Sequence, residues 1–301
     1  MKPIISVIIP VHNGQNYIGK CINALLNMQY PEEKYEIIVV DNNSTDDTAT
    51  IVKSLPVKYV FEAKLNPYIA RNRGASVAQG KILAFIDADC VVHTDWASEI
   101  ERTFKREDVD ALQGYCGGIN NNVWAKFAQL DHDILMKRIT ADKYLKRIDT
   151  RNFAIKRTIF EYMGGFDERL KHCGDWEFGA RLHNAGYKAI YQPTVKISHI
   201  NPTSLMDKIN VRRRQGFFAY RMVKLHGTEF GQKYFSNFYR WYYKLLQNSY
   251  CRKILPVVSK LMHVSIKTLT IVLRLIVNFY LYQTVLKLAY FHGKLIAMQY
   301  E

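Results

Sequence analysis

Acidic residues all but vanish from the last third of this 301-residue chain. Residues 201–301 carry only Asp207, Glu229 and Glu301 against 16 Lys and Arg, a balance of +13. Residues 1–200 hold 26 Lys and Arg against 24 Asp and Glu. The imbalance divides the chain into a near-neutral body, 1–202, and a basic extension, 203–301. Cysteine is sparse too. Five are scattered (Cys21, Cys90, Cys116, Cys173, Cys251) with no CxxC pair, which excludes a disulfide framework and a zinc site and points to a reduced compartment. The opening "MKPIISVIIPVHNG" has only a short apolar run before Pro10. It lacks the longer apolar core and small-residue cleavage site of a signal peptide and reads as a strand. Long apolar runs are missing from the extension: its longest stretch without a charge is Leu275–Leu286, 12 residues broken by Asn278 and Gln283. Roughly 20 are needed to span a bilayer.

The body alternates in period. The apolar runs "IISVIIP", "YEIIVVD", "VKYVFE" and "KILAFID" read as buried strands. Between them, Ile18, Ile22, Leu25 and Leu26 share one helical face, Ser44 or Thr45 can cap a second helix, and "NPYIARNRGASVAQG" reads as a third, opened by proline and closed by Gly80. Such alternation predicts an α/β fold with a mostly parallel, Rossmann-like sheet covered on both faces. Ligands bind beyond the carboxyl ends of such strands. Three of those ends carry polar groups: Pro10-Val11-His12-Asn13, Asp41-Asn42-Asn43 and Asp87-Ala88-Asp89. Asp46 and Asp47 fit a helix start. Asp87 and Asp89 are different, because two carboxylates ending a wholly apolar strand repel each other and resist desolvation. They require a cationic partner.

The segments "VIIPVHN", "VVDNNSTDDT", "ARNRGA", "FIDADC", "GGFDE" and "GDWEFGARLHNAGY" follow one another over about residues 4–200. In this order they resemble glycosyltransferase family 2, with its A-type nucleotide-sugar fold. The resemblance implies a divalent metal, Mn²⁺ or Mg²⁺, as the missing cation, with Asp89 as direct ligand and Asp87 on the ribose or the metal's water shell. His199, in "VKISHINPTS", would be a further metal ligand. Asp41 would accept from a pyrimidine NH, favouring a uridine nucleotide, while the backbone around Pro10, Val11 and Asn13 lies against the base. Arg71 would meet base or diphosphate, and Asn152 the donor sugar. Asp167 fits a loop-organising role. Asp175 would be the catalytic base of an inverting transfer. Where the family has Glu-Asp, this chain has Gly174-Asp175, so the aspartate is kept and its acidic neighbour lost.

The extension interleaves basic and aromatic residues in "DKINVRRRQGFFAYRMVKLHG" and "NFYRWYYKLLQNSYCRKIL". Such segments bind nucleic acid or lie at a membrane interface. Further on, Lys260, His263, Lys267, Arg274 and Asn278 line one helical face, while Gln283, Lys287 and Lys294 project from the other. The reading adopted is helices lying on an anionic membrane surface rather than binding nucleic acid. Packing on the body or a homo-oligomer contact is the alternative. Together these features predict a UDP-sugar-dependent transferase on the inner face of the cell membrane, acting on a lipid-linked or envelope glycan. Two rivals are a sugar-phosphate nucleotidyltransferase, for which "PVHNGQNY" lacks a Gly-rich phosphate loop with a basic residue, and a non-catalytic nucleotide or nucleic-acid binder, against which Asp87, Asp89 and Asp175 argue.

Overall fold

The computed structural model describes residues 2–106, 108–227, 230, 233, 260, 262–266 and 279–299, the last segment with side chains for 283–297. The basic aromatic stretch 237–255 and the positions Lys267, Arg274 and Asn278 lie outside the described residues. The chain forms two compact units, Met1–Ile119 with Ile134–Asn201, and Asn120–Asp133 with Pro202–Glu301.

The first unit is built on one sheet of eight strands: β1 (Ile5–Val11), β2 (Tyr35–Asp41), β3 (Lys58–Phe61), β4 (Ile82–Ile86), β5 (Cys90–Val92), β6 (Ala111–Gly118), β7 (Asn152–Lys156) and β8 (Ala189–His199). Their spatial order is β3-β2-β1-β4-β7-β6-β8-β5. The first four strands pair in parallel. The expectation of a mostly parallel sheet stops at β4. Strand β7 runs antiparallel to both β4 and β6, and β5 antiparallel to β8, with β6 and β8 parallel. The sheet is therefore mixed.

Both faces are buried, which explains the continuous apolar runs. Ile5, Val7 and Ile9 of β1 pack with Val39, Ala84 and Ile86 under α1 (Ile18–Leu26) and α4 (Trp96–Arg106). Ile8, Ile38, Val40, Leu83 and Phe85 face the other way. They lie with α3 (Pro67–Ser76), α6 (Arg157–Tyr162) and α7 (Gly174–Asn184), whose Tyr68, Phe160 and Phe178 join that second core. Helices α3 and α7, far apart in sequence, thus share one face of the sheet.

Two local expectations change. The short α2 (Thr48–Lys53) has Asp47 at its N-cap, without a side-chain cap bond. Ser44 and Thr45 instead hold Asn13, and Asp46 accepts from the Thr48 N–H at 3.1 Å. Helix α3 starts at Pro67, capped by the Asn66 side chain, and ends at Ser76, before Gly80. Gly80 serves close packing, since a Cβ there would lie 2.6 Å from the Ser6 nitrogen.

The second unit does not follow a single cut at 202. Residues 120–133, a short lead-in and the first part of α5 (Val123–Ile139), belong to it. Trp124 and Phe127 pack against Leu205 and Ile209 of α8 (Leu205–His226) and Val285, Leu286 and Ala289 of α9 (Phe279–Gln299). Asp131 pairs with Arg212 at 2.5 Å and Lys208 at 3.3 Å, and accepts from Gln283 at 3.0 Å. Nonlocal apolar contact and a buried carboxylate sort these residues, so the chain division cannot be contiguous. Helices α8 and α9 cross with their backbones in contact at Gly216 and Gly293, where a Cβ would meet a partner carbonyl oxygen at 1.8 Å. Lys294 does not project from a second polar face as its spacing implied. It is buried, with its ammonium 4.8 Å from the Tyr290 ring centroid, and burial lowers its pKa to about 8. Lys287 is exposed. Among the described residues no helix is long and apolar enough to cross a membrane.

Candidate active site

The sheet opens where the site lies. Pairing of β1 with β4 ends at Ile8 and Phe85, while β1 continues alongside β2 to Val11 and Asp41. Pro10, which has no N–H for a ladder, falls past the last pairing with β4, where none is needed. Beyond it Asn13 adopts φ +51°, the left-handed region that asparagine tolerates. The Asn13 side chain accepts from the Thr45 N–H at 2.8 Å, and its own N–H donates to Ser44 Oγ at 2.9 Å. The loops after β1 and β2 are thereby knitted together. Asp41, buried at the end of β2, accepts from the Ser44 N–H at 2.9 Å and from the Tyr59 hydroxyl at 2.8 Å. Its carboxylate is held rigidly, and each oxygen retains a second lone pair.

Asp87 and Asp89 meet different partners. Arg71, buried on α3, donates to Asp87 at 2.5 Å, so Asp87 is already charge-paired. Asp89 lies 3.3 Å from Nε2 of His199. Topology makes this contact: β5 pairs antiparallel with β8 so that Cys90 faces His199, and the Ile200 N–H donates to the Asp89 carbonyl. Both side chains keep some exposure. Burial pushes the Asp89 pKa up, but the His199 hydrogen bond and charge, with Arg151 behind them, bring it below the usual carboxylate range. One carboxylate oxygen beside one imidazole nitrogen, partly open to solvent, is a donor set that could hold a divalent cation. The imidazole suits Mn²⁺ better than Mg²⁺.

Asn152 departs from its expected role. It is 1% exposed, and its side chain accepts from Trp96 Nε1 and donates to the carbonyls of Tyr115 and Val195, each at 2.9 Å. Both amide protons are spent where β6 and β8 shift register between Gly114 and Tyr115. A Cβ on Gly114 would stand 2.1 Å from that amide nitrogen. Asn152 is a structural clamp of the mixed half-sheet rather than a sugar contact.

Asp175 occupies the first turn of α7. The preceding Cys173 has φ +61°, a conformation that costs a β-carbon residue about 1–2 kcal/mol and marks a constrained entry to the helix. Glu177, wholly buried, is bound to Arg181, which also donates to the carbonyls of Met163 and Gly165 at 2.6 and 2.7 Å. Asn72 of α3 exchanges two 2.9 Å hydrogen bonds with the backbone of Phe166. The "GGFDE" loop is thus a joint between α3 and α7, and Asp167 within it binds Arg169. Asp175 is left half-buried. The Tyr68 hydroxyl donates to its Oδ1 at 3.1 Å, as does the Trp176 N–H at 3.0 Å. Desolvation first, then the charge of Asp149, push its pKa up to about 6 against the opposing pull of Arg147, Arg71 and the Tyr68 bond. A carboxylate poised there is ionised at neutral pH and more basic than an ordinary aspartate.

A continuous set of contacts links the two ends. Asp175 bonds Tyr68, the Arg71 guanidinium sits 5.4 Å from the Tyr68 ring centroid, and Arg71 binds Asp87 two residues from Asp89. Sequence reasoning missed Tyr68, Cys173, Arg147 and Asp149. Tyr68 stands inside a quoted motif, but an aromatic residue on a helix gives no sign beyond core packing.

The family model described as "Glycosyl transferase family 2" matches residues 6–171. The glycosyltransferase AglE of Haloferax volcanii is 31% identical over 201 residues, covering 63% of this chain and 64% of that protein. A dolichyl N-acetyl-α-D-glucosaminyl phosphate 3-β-D-2,3-diacetamido-2,3-dideoxy-β-D-glucuronosyltransferase of Methanococcus voltae is 28% identical over 218 residues, 67% of this chain and 68% of that one. The match to AglE therefore spans just under two thirds of that relative. Among solved structures, the mannosyltransferase PcManGT of Pyrobaculum calidifontis, in complex with GDP-Man and Mn²⁺, superposes with a TM-score of 0.62 at 18% identity, covering all of this chain and 87% of that one. That likeness establishes the A-type glycosyltransferase fold. With the family match covering more than half of its length, the chain belongs to glycosyl transferase family 2.

Proposed function

We propose that this protein is an inverting, metal-dependent glycosyltransferase. It moves a sugar from a nucleotide-sugar donor, a UDP-sugar, to a hydroxyl of a lipid-linked or envelope glycan. The observation that carries the reading is the contact series from Asp175 through Tyr68 and Arg71 to Asp87, beside the Asp89–His199 pair. It joins a raised-pKa carboxylate to a cation site on one unit of the fold.

Asp89 and His199 would hold the metal, which when bound offsets negative charge on the departing nucleoside diphosphate. Asp87, neutralised by Arg71, faces the ribose side. Asp41 accepts from the base, and Pro10, Val11 and Asn13 shape the wall against it. Asp175 takes the proton of the acceptor hydroxyl as that oxygen bonds to the anomeric carbon. The bond from that carbon to the diphosphate oxygen breaks, and its electron pair leaves on the diphosphate. Attack opposite the leaving group inverts the configuration. The test is transfer with UDP- and GDP-sugars in Mn²⁺ and analysis of the product anomer. An α-linked UDP-sugar giving a β-linked product is expected. A retained anomer would end the inverting reading, and preference for guanosine donors would end the uridine assignment.

The acceptor class rests on the Methanococcus voltae relative, whose name specifies a dolichyl phosphate-linked sugar, and on the +13 balance of residues 201–301. Each basic residue at an anionic surface contributes roughly 1 kcal/mol. Cosedimentation with phosphatidylserine vesicles, lost in high salt, is the expected behaviour. Equal recovery with neutral vesicles would exclude electrostatic docking.

A further inference from the structure

We infer that Tyr68 is a positioning residue for the catalytic base, and that it takes over the place left by the missing side chain at Gly174. The inference rests on the role of Asp175 given above. Its ground is steric before it is electrostatic. A Cβ at position 174 would lie 2.8 Å from Cε2 of Tyr68 and 2.9 Å from both Cδ2 and Cζ. Separations under 3 Å cannot stand, so a tyrosine at 68 and any side chain at 174 exclude one another. The ring cannot move aside cheaply. It is 5% exposed, and its centroid lies 5.4 Å from that of Phe166. Glycine at 174 is therefore the condition for this ring to reach α7.

What the ring delivers is a hydroxyl on Asp175 Oδ1 at 3.1 Å. The Trp176 N–H falls on the same oxygen. Among the described residues Oδ2 has no hydrogen-bond partner, so it is the oxygen presented to an acceptor hydroxyl. A carboxylate with one oxygen pinned by two donors has its rotation fixed, which is the pre-orientation a general base needs. A phenol also acts on the carboxylate in the opposite sense to an acidic neighbour. A second carboxylate would favour the protonated aspartate, whereas a donated hydrogen bond favours the ionised one. The charged groups acting on Asp175 are Asp149, which opposes its ionisation, and Arg147 and Arg71, which favour it. Tyr68 itself stays protonated as a donor, because burial and then the charge of Asp175 push its pKa well above that of free tyrosine.

The experiment is Tyr68→Phe in the full chain, which keeps the ring and deletes only the hydroxyl, read by kcat, KM and the pH profile of kcat/KM. A hydrogen bond to a charged group corresponds to roughly a 10- to 100-fold change in rate. The expected result is a fall in kcat in that range, unchanged binding of nucleoside diphosphate, and an acid limb displaced to higher pH. A merely structural tyrosine would leave that limb in place. Asp175→Asn and the double variant separate this inference from the one beneath it. If both are equally inactive, the hydroxyl acts through the carboxylate. If Asp175→Asn is inactive but Tyr68→Phe keeps wild-type kcat and pH profile, the positioning role is overturned and the base stands. An active Asp175→Asn overturns the base itself. Should Tyr68→Phe fold poorly, 3-fluorotyrosine placed at position 68 keeps the ring and makes its hydroxyl a stronger donor to Asp175; the acid limb is then expected to move to lower pH, and an unmoved limb overturns the positioning role.

Discussion

Replacing Asp175 with asparagine is expected to lower kcat by about 10²–10⁴ while leaving nucleotide binding intact. The substitution is nearly isosteric. Both donors to Asp175, the Tyr68 hydroxyl and the Trp176 N–H, fall on Oδ1, which an asparagine carbonyl can replace. What disappears is the basic oxygen. The contacts of Asp87 with Arg71 and of Asp89 with His199 do not involve residue 175, so the donor half should bind as before. Stability should not fall either. The folded-state pKa of about 6 lies above the ordinary aspartate value of 3.8, so the ionised group opposes folding once the pH exceeds the unfolded value. An uncharged amide removes that penalty, and the melting temperature at pH 7.5 should be unchanged or higher.

The same raised pKa predicts the wild-type pH profile. Desolvation and Asp149 hold the proton on Asp175 up to about pH 6, so kcat/KM should be flat at neutral pH and fall as the pH drops through that value. At pH 5 roughly a tenth of the sites would be ionised, giving about tenfold lower activity. The asparagine variant should lose this limb along with its rate. A variant that kept the limb would assign it to another group. Weakened nucleotide binding in the variant would instead place Asp175 on the donor.

Residues legible from sequence were those whose role is local. The apolar runs of β1, β2 and β4 and the acids at their ends follow from period and composition. The contact of Asp89 with His199 spans 110 residues, and only the resemblance to a family foretold it. Physically it depends on the pairing of β5 with β8, which no local pattern encodes. The mixed half of the sheet was hidden for the same reason, since an apolar run does not record the direction of its neighbour. Asn152 reads as a polar group at a strand start, and only its burial shows that its hydrogen bonds are spent. Residues 120–133 join the second unit through apolar partners more than 70 residues away. Tyr68 and Gly174 are unremarkable separately. Their meaning is the missing Cβ that lets one reach the other.

Asp89→Ala should abolish the metal-dependent part of nucleotide binding. Measured by calorimetry with UDP, the wild-type protein should bind in Mn²⁺ and lose most of that affinity in chelator, while the variant should bind weakly in both. Loss of a group that merely supports a ligand costs 10- to 100-fold in metal affinity, so loss of a direct ligand should cost at least about 100-fold. The fold should tolerate the change. The Asp89 side chain is part-exposed, and its tie to Ile200 runs through the backbone carbonyl, which alanine retains. His199→Ala should produce a smaller loss, because a neutral imidazole contributes no charge to a divalent cation. Asp87→Ala should behave differently from both. It strips the partner from buried Arg71 and leaves an unpaired guanidinium on the side of the site proposed to receive the anionic donor. Binding of UDP in chelator should then be preserved or strengthened, even as positioning for transfer is lost. If Asp89→Ala binds UDP in Mn²⁺ as tightly as wild type, the cation lies elsewhere and the Asp89–His199 pair is an ordinary hydrogen bond between two strand ends. Loss of binding in Mn²⁺ alone, with weak chelator-insensitive binding unchanged, is the pattern a metal-bridged diphosphate requires.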